Sequence, residues 1–93
     1  MRIVGEIQHP VMKVTIFHMN ERYSVKLESG LYEQTYKFRS GEGLNTVEDV
    51  KQFVDEEFME AVLQNFQLMN KLRARAMQRA FPQDGGEEFE KII

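Results

Sequence analysis

Between His18 and Phe38 the chain reads HMNERYSVKLESGLYEQTYKF, in which polar and apolar residues alternate around two tight-turn signals, Asn20-Glu21 and Ser29-Gly30. Alternation with a period of two puts one set of side chains on each face of a pleated sheet. Two-residue loops are the commonest hairpin links and fix the pairing register. These two constraints predict antiparallel strands near 11–19, 22–28 and 31–39. A further strand near 2–8 joins them through His9-Pro10, giving a four-stranded meander.

In that register Ile7 faces Met12, Ile3 faces Ile16, Ile16 faces Val25, Val14 faces Leu27 and His18 faces Tyr23. Across the last hairpin Leu27 meets Tyr32 and Tyr23 meets Tyr36. All three hairpins collect the same apolar set on one face: Ile3, Ile7, Met12, Val14, Ile16, Tyr23, Val25, Leu27, Tyr32, Tyr36 and Phe38. The other face places Glu6 opposite Lys13, Lys13 opposite Glu28 and Lys26 opposite Glu33, and such opposed charges favour the ladder. It also carries Val4, Phe17, Met19 and Leu31, which a purely solvated face does not require. Pro10 fits a two-residue turn only with a cis peptide, so a longer loop of the same parity is the preferred expectation. Gly5, in mid-strand, marks a bulge or a close helix contact.

After the loop RSGEGLNT, Asn45 or Thr46 is a good helix N-cap, and Asp49 stands where a capping box needs an acid. Helical periodicity then runs from Val47 to about Phe81, either unbroken or with a break near Asp55-Glu56 that leaves a short helix and a long one. Acidic residues fill the first half and basic ones the last turns, which suits the helix dipole. Pro82 and Gly85-Gly86 end it. Two apolar stripes emerge at 100° per residue. The first (Val47, Val50, Val54, Phe58, Ala61, Leu68, Leu72, Ala76) is expected to cover the sheet. The second (Met59, Leu63, Phe66, Asn70, Met77, Phe81) has nearly heptad spacing.

An unbroken helix of this length would extend ~52 Å, whereas four paired strands span only ~20 Å. The second stripe therefore needs another surface. A second copy of the chain in a two-fold dimer is the leading expectation. The alternatives are a helix that folds back, or a tail whose Phe89, Ile92 and Ile93 cover the stripe. The fold class is thus α+β, with one β4-α domain over residues 1–82 and an acidic tail over 83–93.

Composition narrows the function classes. A content of 42% apolar residues, with seven Phe and three Tyr, is that of a globular chain. With no cysteine, disulfides and thiolate metal sites are excluded. No signal-peptide core and no membrane-spanning run is read from the sequence, so the default expectation is cytoplasmic with no membrane partner. The net charge of -3 does not itself point to nucleic acid.

No motif points to catalysis. His9 reads as a turn residue and His18 as a core-edge histidine beside Tyr23. The pair lacks the ligands of a zinc site. Asp55, Glu56, Glu57 and Glu60 read as a solvated acidic face, because no metal-carboxylate spacing accompanies them. The stretch SGEG lacks the lysine of a phosphate loop, and no serine sits in a nucleophile elbow. The expectation is a non-enzymatic protein with no cofactor, no metal and no small-molecule substrate. What remains is the outer sheet face, which by the register carries Arg2, Lys13, Arg22, Lys26, Lys37 and Arg39 against Glu6, Glu28 and Glu33, with Phe17 near the centre. Arg2, Lys13, Phe17, Arg22, Lys26 and Lys37 on that face could hold single-stranded nucleic acid by phosphate pairing and base stacking. The competing expectation for this face is a solvated surface whose charges pair internally.

A four-strand meander followed by one long helix, over residues 2 to 81 and with a basic sheet face, resembles the Whirly and Pur single-stranded nucleic-acid-binding domains. That resemblance implies that the sheet binds the strand and the helix helps to pair two units. Through HPVMKVTIF, YEQTYKF and VEDVKQFVDEEF the chain also looks similar to small bacterial proteins of unknown function, which implies no activity. Two functions are therefore expected from the sequence. One is a homodimeric binding module for single-stranded nucleic acid. The other is a protein-interaction or scaffold domain that uses the second stripe and binds no nucleic acid.

Overall fold

The computed structural model describes residues 1–39 and 41–82. Four strands, β1 (Arg2–Ile7), β2 (Lys13–Met19), β3 (Arg22–Ser29) and β4 (Tyr32–Lys37), form an antiparallel sheet in sequence order. Two helices follow, α1 (Val47–Phe53) and α2 (Glu56–Ala80). This is the expected α+β meander with a long C-terminal helix, divided near Asp55. The tail expected over 83–93 lies outside the described residues.

The β2–β3 hairpin has the expected register, with Val14 paired to Leu27, Ile16 to Val25 and His18 to Tyr23. Its turn residues Asn20 and Glu21 have φ of 53° and 60°, the left-handed pair of a type I′ turn, whose twist matches that of the strands. The next hairpin slips by two residues. Ser29 pairs with Tyr32, and Leu27 meets Gln34 rather than Tyr32. The turn is Gly30-Leu31 because glycine takes the first central position, where φ is +60°. A slip of two keeps every side chain on its face, so Tyr32 and Tyr36 still point to the core. It does separate Lys26 from Glu33, leaving Lys26 opposite Thr35 and Glu28 opposite Glu33.

In β1 the correction is larger. Ile7 pairs with Val14, not Met12, across a longer loop of the same parity with a trans His9–Pro10 peptide. A bulge then falls between Ile3 and Gly5, so that Gly5 pairs with Ile16 while Ile3 pairs with Phe17. One inserted residue reverses the parity of everything before it. Ile3 therefore lies on the outer face, 59% exposed, and Arg2 stands opposite His18 on the helix side. Gly5 serves both expected purposes at once. A β-carbon placed there would stand 3.2 Å from Val47 Cγ1, so the missing side chain lets the start of α1 lie close over the strand.

Thr46 caps α1, with its hydroxyl accepting from Asp49 N–H and the Asp49 carboxylate accepting from Thr46 N–H. Asp55 caps α2 in the same way, accepting from Phe58 N–H at 2.8 Å. The core lies between sheet and helices. It contains Met12, Val14, Ile16, Val25, Leu27 and Phe38 on the sheet side and Val50, Val54, Val62 and Phe66 on the helix side. A chain of aromatic contacts, Phe38–Phe53–Phe58–Tyr36, closes one edge with ring centroids 4.8 to 5.1 Å apart.

The new cap at Asp55 resets the helical phase, and this exchanges the two stripes. The first stripe covers the sheet only as far as Phe58, and its Leu68 and Leu72 are more than half exposed. From there the second stripe takes over. Phe66 is buried, and Met59 and Leu63 are half-buried against the core. Asn70 Oδ1 accepts from Tyr32 O–H at 3.0 Å. Four of the six residues expected at a dimer seam thus already touch their own sheet. Only Met77 and Phe81 remain free of it, 46% and 69% exposed. Gln34 ties the layers together. Its Nε2 donates to the Val62 carbonyl at 3.0 Å and its Oε1 accepts from Tyr36 O–H at 2.8 Å.

The expectation that the helix outruns the sheet holds. α2 has 25 residues, or ~37 Å at 1.5 Å per residue. Every residue from Lys71 to Pro82 is exposed, and the molecule measures 55 × 25 × 20 Å.

Candidate nucleic-acid interface on the outer sheet face

The outer face is built by the alternate residues of β2, β3 and β4. Lys13, Phe17, Arg22, Lys26 and Lys37 all lie on it, as their ladder partners show. Arg2 does not, because the β1 bulge turns it to the other side. The five that remain fall into two unlike environments.

Toward the middle, Lys26 is engaged by an acid and a ring, and the surface is closed. Lys13 stands opposite Glu28. Lys26 Nζ lies 3.9 Å from Glu28 Oε1, the only ion pair among the described residues. The same ammonium sits 5.5 Å from the centre of the Phe17 ring, within cation–π range. Thr15, between Glu6 and Lys26 in the ladder, is only 2% exposed. Long neighbouring side chains shelter it with their aliphatic stems.

Toward the β2–β3 turn the face opens into a cleft of about 580 Å³, within the range of ligand-binding pockets. Phe17 and Met19 form an apolar wall, and Arg22, Lys37 and Arg39 supply positive charge. Met1 also lines it, and no lining residue is acidic. Strand geometry explains the convergence. Met19 pairs with Arg22 across the turn, and Lys37 pairs with Ser24. The Phe38 N–H donates to the Tyr23 carbonyl, which carries β4 one residue further and holds Arg39 at the rim. The Arg39 N–H donates to Glu42 Oε1 at 2.7 Å, anchoring the backbone there. Without an ion-pair partner among the described residues, the three cations leave a local positive field at low ionic strength.

Sequence reasoning put Arg39 and Met19 on the outer face but left both, and Met1, out of the candidate site. The signal for Arg39 was simple, since it lies two residues beyond Lys37 on the same face of an extended strand. Of the two histidines, His18 packs against Tyr23 with ring centroids 4.6 Å apart and planes tilted by 42°. His9 Nδ1 accepts from Val11 N–H. Among the described residues no group of three histidine or carboxylate side chains is placed to hold a metal ion. No helix among them is long and apolar enough to cross a membrane. The Asp49 carboxyl is held below its ordinary pKa, chiefly by the hydrogen bond from the Asn45 backbone and then by those from Thr46. It belongs to the helix cap and not to the cleft. Compared with known proteins, the chain matches no family model, no curated protein and no solved structure.

Proposed function

We propose that this protein binds single-stranded nucleic acid, without catalysing a reaction, in the cleft at the open end of its outer sheet face. The observation that carries the reading is the meeting of Phe17 with Arg22, Lys37 and Arg39 in one cleft that no carboxylate lines. Phosphates take the cations and a base takes the aromatic wall. This combination tolerates any sequence, because every base has a face to stack. Lys26 has a second part in this account. It covers the Phe17 ring in the free protein, and a stacking base displaces its ammonium toward a phosphate.

Fluorescence anisotropy with a labelled single-stranded oligonucleotide tests the proposal. Arg22→Glu and Lys37→Glu should each weaken binding strongly. Phe17→Ala should cost ~1–3 kcal/mol, the usual worth of one stacked base. Lys13→Glu, remote from the cleft and opposite Glu28, should change little. No binding at low salt, or equal losses from Lys13→Glu and Arg22→Glu, refutes the cleft. The competing role, a protein-interaction domain that ignores nucleic acid, gains from the exposed helix end. It predicts a purified protein free of nucleic-acid absorbance that retains a protein partner.

A further inference from the structure

Beyond the sheet, α2 keeps its apolar character. Met77 and Phe81 prolong the row that contains Met59, Leu63 and Asn70, as 100° per residue requires. Yet both stand in solvent, on a segment where every residue is exposed. Beside the sheltered end of the same row runs a groove of about 730 Å³, walled by Met59 and Leu63 and bordered by Glu56, Glu57 and Glu60. The groove is acidic and the overhang is basic. Lys71, Arg73, Arg75 and Arg79 lie on the overhang, and no acid occurs from Ala61 to Pro82. None of these charged side chains has an ion-pair partner among the described residues.

We infer that the overhang of one copy docks in the groove of a second copy, making a two-fold antiparallel pair of α2 helices centred on Asn70. The sequence is self-complementary about that point. Leu63 and Met77 lie equally far from Asn70 on either side, and so do Met59 and Phe81. Reversing one helix against another about Asn70 therefore sets Leu63 on Met77 and Met59 on Phe81, twice over, as an isologous contact demands. The same reversal brings the acidic first turns of one helix to the basic last turns of the other. A parallel pair would stack like on like. Asn70 supports the centre. Tyr32 O–H takes one lone pair of its Oδ1, which leaves the amide hydrogens and the second lone pair for a reciprocal bond with the Asn70 of the second copy. The pairing needs no nucleic acid and uses none of the residues that line the outer cleft, so each inference can fail alone.

Sedimentation equilibrium of the full chain over a concentration series tests it. The expected result is a dimer. Met77→Glu and Phe81→Glu should each raise the dissociation constant by at least about 30-fold, since each puts a charge into two apolar contacts of the symmetric pair. Their circular dichroism should not change, because neither residue belongs to the protomer core. Leu68→Glu, on the opposite side of the helix and 54% exposed, should leave the dimer intact. A chain that is monomeric at every concentration overturns the inference. So does a dimer that survives Met77→Glu and Phe81→Glu but dissociates with Leu68→Glu, since the pairing face would then be the other one.

Discussion

The two faces of the sheet are made by the same strands and the same alternation, yet they are finished differently. The inner face is closed. Val14, Ile16, Val25 and Leu27 are at most 1% exposed, and Gln34, on the same face, is hydrogen-bonded to helix and sheet together. On the outer face the middle carries one ion pair and a buried Thr15, and one end opens into a cleft with three cations and an aromatic ring around it. Burial accounts fully for the choice of residues inside. Outside, stability does not call for Phe17, Met19, Arg22, Lys37 and Arg39 to gather at one end. The difference teaches where function should be sought in a small domain: in the surface left over once folding has been explained.

That contrast can be broken by substitution. The largest effect should come from Leu27→Ala, which empties the centre of the inner face. Urea unfolding should show a loss of ~2–5 kcal/mol. Gln34→Ala should cost ~1–3 kcal/mol, because the Tyr36 hydroxyl loses its acceptor and the layers lose a tie. Glu21→Gly, at the turn beside the open cleft, should stabilise by about 1 kcal/mol, since Glu21 holds a left-handed φ of 60° that glycine adopts without strain. Arg22→Glu and Lys37→Glu should stay within about 0.5 kcal/mol of the parent, as exposed substitutions do. A large loss of stability from either would mean that the outer face is structural after all. Smallest and most local is the acid response of α1. The folded pKa of Asp49 lies below its ordinary 3.8, so its capping contribution is present above that pH and lost as pH falls through the depressed value. Asp49→Asn should remove this acid-dependent fraying, followed by amide exchange over Val47–Phe53.

The same contrast shows what the sequence could reveal. The β2–β3 pairing was legible because Asn20-Glu21 had flanks that fitted only one two-residue turn. The β3–β4 pairing slipped by two because Gly30 takes the first central position of the turn and not the second, which moves the loop one residue along the chain, to Gly30-Leu31. Faces survived that slip. They did not survive the bulge at Gly5. The glycine flagged the bulge, but its consequence, moving Arg2 off the outer face and Ile3 onto it, depends on which residue is extra, and composition does not say. In the helix, Thr46 and Asp49 announced the cap and Asp55 the break. A fresh cap also resets the helical phase, and so Phe66, not Leu68, reached the core. The cleft was legible in its strand residues, and Arg39, past the end of β4, was legible on the face though not in the site; the Phe38–Tyr23 hydrogen bond continues the pairing and holds it there.

The claim that the open end of the outer face holds a nucleic-acid strand is tested most directly by the salt dependence of oligonucleotide binding. Each phosphate neutralised on a single strand contributes about 0.7 to the slope of log K against log salt. The account predicts a steep negative slope for the parent, and a slope shallower by about 1.4 when Arg22 and Lys37 are both changed to Glu. Binding that ignores salt, or a slope that the double substitution leaves as it was, would contradict it.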